Sequence, residues 1–163
     1  MGMFLRMGAL ARLTMTSQNL FGISMSYQYL VTPFIAWFIA GSLKFLINSV
    51  VTKKPATSLI GYGGMPSNHS TIVCSMAALI GLREGIDHPA FGVAVTIAFI
   101  VMLDATSLRR QVGKQAAVIN QIVKKIDIDV LSLRERMGHS VKEVIGGAAV
   151  GALVALLVYK LGL

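Results

Sequence analysis

Four apolar stretches separated by short polar connections constrain this chain more than any other feature. Tyr29–Val51 and Val141–Leu161 are each long enough for a bilayer core, which takes about 20 helical residues. Pro89–Leu103 is a third stretch, ending in Asp104, Thr106, Ser107, Arg109 and Arg110. The second, Thr71–Leu82, is shorter, so to cross a membrane it must extend backwards into Pro66-Ser67-Asn68-His69. Charge is scarce, at 13% of 163 residues against 55% apolar, which excludes a disordered chain and an ordinary soluble enzyme. The net charge of +8 does not point to nucleic acid, because the bases sit between apolar segments rather than on one soluble face. The expected class is an all-α integral membrane protein: a bundle of about four transmembrane helices plus amphipathic interfacial helices.

The connections carry their own pattern. Residues 1–28 hold Arg6 and Arg12 and no acid, and read as an interfacial or targeting-like segment ahead of a membrane-embedded domain at 29–163. Val112, Ala116, Ile119, Val123 and Ile126 recur at helical spacing, with Lys114, Gln115, Gln121, Lys124 and Lys125 on another face. That stretch is expected to lie at the membrane surface against lipid head groups. Four spans put 52–70 and 107–140 on one side, and nine of the fifteen bases fall there: Lys53, Lys54, Arg109, Arg110, Lys114, Lys124, Lys125, Arg134 and Arg136. The positive-inside rule assigns that side to the cytoplasm, and an inner or plasma membrane is the expected location. Gly147 and Gly151 offer a small-residue packing face within the chain or between copies, so an oligomer is possible.

The residues able to do chemistry collect on that same side. His69 and His139 stand at matching positions, at the starts of the second and fourth stretches. Around them lie Ser67, Asn68, Lys53, Lys54, Arg109, Arg110, Arg134 and Arg136. Two imidazoles facing cations have the composition of a phosphoryl-transfer site, where cations neutralise phosphate oxygens while one group attacks and another protonates. Glu143, one helical turn beyond His139, can fix the imidazole; Ser140-x-x-Glu143 is equally a capping box that needs no catalysis. Asp104, a carboxylate at the end of a span, calls for a partner, either Arg109 or Arg110. Lone Cys74 precludes an intrachain disulfide, and the seven carboxylates, none before Glu84, form no clustered metal site. No metal and no cofactor are expected.

Taken in order, GGMPSNHS, DATSLRRQVGKQA and GHSVKEVIGG resemble one family over about Tyr29–Leu161. It is the divergent acid phosphatase and vanadium-haloperoxidase-related membrane family, a branch of the type 2 phosphatidate phosphatases. The resemblance implies that His69 is the general acid, that Ser67 and Asn68 lie in the phosphate-binding region, and that His139 is the nucleophile oriented by Glu143. It further implies metal-independent, vanadate-sensitive hydrolysis of a lipid phosphate monoester through phosphohistidine. Phosphatidylglycerophosphate, phosphatidate and polyprenyl phosphates all suit a site beside the bilayer. The chain departs from the pattern at Asn68, where glycine is usual, at Glu143, where aspartate is usual, and at Leu133, where an arginine is expected. Arg109, Arg110 and Lys54 are the bases available for phosphate, with Asp104 beside them. The alternative is a non-enzymatic lipid-phosphate binder or transporter using the same cations. Either partner is a phosphorylated lipid within the membrane, and no nucleic acid is expected.

Overall fold

The computed structural model describes residues 27–52, 64–126 and 128–162. Lys53, Lys54 and nearly all of the 1–28 segment lie outside them. Among the described residues all regular structure is helical: α1 Tyr27–Thr52, α2 Asn68–Arg83, α3 Pro89–Thr106, α4 Leu108–Lys125 and α5 Val141–Leu161.

The sequence supplies a reason for each boundary. α2 starts at Asn68 because Ser67 is its N-cap, in extended backbone, with its hydroxyl accepting from the Ser70 N–H. α3 starts at Pro89, where the missing N–H costs nothing, and His88 caps it by accepting from Ala90 N–H at 3.2 Å. His88 is therefore the N-cap of α3. α5 opens on a complete capping box of Ser140 and Glu143 and ends at Gly162, whose φ of 67° suits glycine.

α1, the α3–α4 run and α5 are long and apolar enough to cross a membrane. α2 is the fourth expected span and runs between the two ends of the bundle, with Arg83 meeting Gln28 at one end and His69 meeting Arg109 at the other. α2 does extend back through His69, but its 16 residues rise only about 24 Å, short of a hydrocarbon core of about 30 Å. It is packed among α1, α3 and α5. The first half of its buried face is polar, with Ser70, Thr71 and Ser75 fully covered. These hydroxyls are kept satisfied within the helix: Thr71 donates to Ser67 O at 2.9 Å and Ser75 to Ile72 O at 2.8 Å.

Small residues let α5 approach α2 closely. A Cβ on Gly147 would lie 2.5 Å from Ser67 O, and one on Gly151 would lie 2.5 Å from Thr71 O. The small-residue face thus packs within the chain. Further along, Leu79, Val154, Ala155 and Val158 close on Ala36 as the apolar core. The large apolar side chains of α1 and α3, including Phe34, Trp37, Phe38, Phe99 and Ile100, point outward. An outward apolar surface of that kind is what lipid requires.

Candidate active site

Two helix starts meet at one end of the bundle. The Ser67 N–H donates to Glu143 O at 3.0 Å, which ties the entry of α2 to the first turn of α5. His69, in the first turn of α2, and His139, just before the α5 cap, are therefore brought together. Their ring centroids are 6.1 Å apart and tilted by 59°.

Glu143 holds His139. Its Oε2 accepts from the Ser140 N–H at 2.8 Å and lies 3.2 Å from His139 Nδ1. The capping box and the imidazole contact, alternatives in the sequence, are made by the same carboxylate oxygen. With Nδ1 turned to the carboxylate, the second ring nitrogen, Nε2, is left to act. Burial pushes the His139 imidazole below its ordinary range, since the charged form loses water. The Glu143 hydrogen bond opposes that, while Lys44 and Arg109 add to it.

The third contribution comes from a break in a helix. On a straight helix a five-residue offset separates side chains by about 140° around the axis, so Asp104 and Arg109 would not meet. At Ser107, with φ −113° and ψ −74°, α3 gives way to α4. Ser107 and Thr106 turn their hydroxyls back onto Leu103 O and Met102 O, at 2.7 and 2.9 Å. Across the break, Arg109 Nε reaches Asp104 Oδ2 at 2.7 Å, and its Nη1 reaches His69 Nε2 at 3.1 Å. Ala105 O accepts the His139 N–H at 2.9 Å, so the same turn also holds the second histidine.

Other expected site residues fall variously. Asp104 meets Arg109 and supports it. Arg110 is exposed and lies against Gly138. Ser67 is fully buried, with its hydroxyl engaged by Ser70. Asn68 Oδ1 and His69 Nδ1 are buried with no hydrogen-bond partner among the described residues. Arg134 and Arg136 lie on an exposed irregular segment, and Lys54 is outside the described residues. Among the described residues no three His, Cys, Asp or Glu side chains converge on a metal position.

Two residues carry more than the sequence indicated. Lys44, inside the first apolar stretch, is 8% exposed and lies within electrostatic reach of His69, His139 and Glu143. The signal was its place inside an apolar stretch, where a charge needs a partner. Gly138 has φ +82°, and a Cβ there would lie 2.6 Å from Arg110 Cγ and 2.9 Å from Arg110 N. Its position directly before His139 was the available clue.

A helical membrane protein with paired histidines, each held by a charged side chain at one end of the bundle, is the class that fold and site define. The chain belongs to the divergent PAP2 family, whose family model matches residues 25–154. It is similar to the uncharacterized membrane protein YuiD of Bacillus subtilis (strain 168). The two are 34% identical, over 78% of this chain and 91% of the relative. No solved structure matches the chain.

Proposed function

We propose that this protein hydrolyses a lipid phosphate monoester, without a metal, at the cytoplasmic face of the membrane. The observation that carries the reading is the 6.1 Å pairing of His69 and His139, with Glu143 on one ring and Arg109 on the other. His139 Nε2 attacks phosphorus, and Glu143 stabilises the imidazolium that forms on the phosphohistidine. Lys44 and Arg109 neutralise the phosphate oxygens, and the entry of α2 at Asn68 adds oriented N–H groups. His69 protonates the departing oxygen, then takes a proton from the water that releases phosphate.

A lipid substrate is supported by the surroundings of the site. α4 holds Arg109 in its first turn, contains no acid, and leaves Leu108, Val112, Ile119 and Ile122 exposed along one stripe that continues to Ile126 at its C-cap. A basic helix with an uncovered apolar stripe suits the boundary of the bilayer. The cytoplasmic assignment rests on the bases at 52–70 and 107–140. A reporter at Gln115 tests it, and an extracytoplasmic Gln115 reverses the orientation.

The test of function is phosphate release from phosphatidylglycerophosphate, phosphatidate and a polyprenyl phosphate, with EDTA present. Purified protein is compared with His139→Ala. Release by the unaltered protein alone is the expected result. One observation favours a second reading, a lipid-phosphate binder or transporter: His69 Nε2 already has Arg109 on it. Binding of those lipids with no release by either protein selects it.

A further inference from the structure

The contact between Arg109 and His69 sets a condition on catalysis. A guanidinium only donates hydrogen bonds, so at 3.1 Å His69 Nε2 is the acceptor and the ring proton is on Nδ1. While this contact stands His69 cannot be an imidazolium. A neutral ring is a very poor proton donor, since it would have to leave as an imidazolate. The same geometry shows what holds the guanidinium there: Asp104, through Nε at 2.7 Å. The charged groups facing His69 are Lys44 on α1, Asp104 on α3, Arg109 on α4 and His139 at the entry to α5.

We propose that Arg109 is a substrate-displaced clamp. It holds His69 neutral in the free site and passes to the phosphate of a bound monoester dianion, and Asp104 is the positioning residue that keeps it within reach of both. The inference rests on the phosphatase reading above. Binding transfers the Nη groups from His69 to phosphate oxygens, and His69 Nε2 takes a proton from solvent. Next the P–N bond to His139 Nε2 forms as the P–O bond to the lipid breaks. The electron pair of that bond goes to the lipid oxygen, which receives the His69 proton. Water then attacks phosphorus, the P–N electron pair returns to His139, and the water proton goes to His69 Nε2. Loss of inorganic phosphate, with the Nε2 proton of His69 returned to solvent, lets Arg109 return. The clamp reserves the acidic proton for an occupied site.

The full chain, labelled with ¹⁵N-histidine and held in detergent micelles, tests this by imidazole nitrogen shifts. Orthovanadate serves as the phosphate mimic. In the free protein His69 is expected as the Nδ1–H tautomer, and vanadate is expected to turn it into imidazolium. Arg109→Gln releases the tautomer preference without ligand and weakens vanadate binding by about tenfold to a hundredfold. Asp104→Asn gives a smaller loss of both, and Asp104→Glu recovers part of it. If Arg109→Gln fails to fold, Arg109→Lys replaces it, because one ammonium cannot bridge Asp104 and His69 as the guanidinium does. Identical His69 shifts with and without the guanidinium overturn the clamp. Turnover of lipid phosphate by a protein whose His69 stays neutral with vanadate bound overturns it alone. Absence of both vanadate binding and phosphate release overturns the phosphatase reading, and the displacement with it.

Discussion

The two ends of α2 carry polar clusters of opposite kinds. At its C-terminal end Arg83 donates to Gln28 and lies 5.4 Å over the Tyr29 ring, while the Tyr29 hydroxyl donates to Glu84. All four residues belong to α1 or to the end of α2, so the cluster joins two neighbours in the bundle. At the N-terminal end Lys44, His69, Asp104, Arg109, His139 and Glu143 come from every described helix or its entry. There, buried Asn68 Oδ1 and His69 Nδ1 have no partner among the described residues. A clamp needs only that its own donors and acceptors match. A site brings groups together from many elements and leaves some capacity unused, as this end does.

The difference between the two ends is largest at His139. His139→Ala is expected to lower phosphate release by on the order of 10⁴-fold with thermal stability nearly unchanged. At the other end, Tyr29→Phe removes one hydrogen bond, costing about 1 kcal/mol of stability, and leaves the rate alone. Equal effects on rate from the two variants would show that these ends do not differ in kind. Lys44→Met comes next, with a loss of about a hundredfold in turnover, the scale for one preorganised group facing developing charge. Full activity in that variant would place Lys44 with the structural residues.

Gly147→Ala separates assembly from chemistry. Its Cβ would meet Ser67 O, a backbone atom fixed by the α2 cap, so α2 and α5 must move apart. A loss of about 1–3 kcal/mol is expected. Activity should fall as well, because Ser67 N–H and Glu143 O hold the two histidines at one level. Gly151→Ala meets Thr71 O deeper in the bundle and should cost similar stability with less effect on rate. Thermal melts alongside turnover check both.

Much of the fold was legible because its causes are local. Pro89, the Ser140–Glu143 box and the Gly147/Gly151 spacing fix boundaries and packing through neighbours in sequence. The backward extension of α2 through His69 was legible for the same reason, Ser67 being a cap residue. The central place of α2 was not, because it is defined by what surrounds the helix rather than by its own hydropathy. Within the site, His69, His139 and Glu143 could be paired from matching positions and a one-turn spacing. The partner of Asp104 could not be settled between Arg109 and Arg110, since it depends on the bend at Ser107, where no proline or glycine marks the sequence. Lys44 was hidden by its distance from the other site residues along the chain, and only helix packing brings it near.

The smallest effect expected is also the one that best divides the roles of Glu143. Glutamine preserves the capping geometry but removes the charge, whereas alanine removes both. Glu143→Ala should therefore cost about 1 kcal/mol of stability and Glu143→Gln much less. The pH profile shows the other role. His139 must be neutral to attack, and its burial sets it below the ordinary imidazole range, so the rate falls on the acid side as it protonates. Glu143 favours the protonated ring by hydrogen bond and by charge, opposing burial. Removing that charge lets the imidazole fall further, and the acid limb of Glu143→Gln is expected at lower pH than that of the unaltered protein. An acid limb that stays in place while turnover drops would assign the limb to another group. One that moves up would mean that the carboxylate does not act on His139 in the free site.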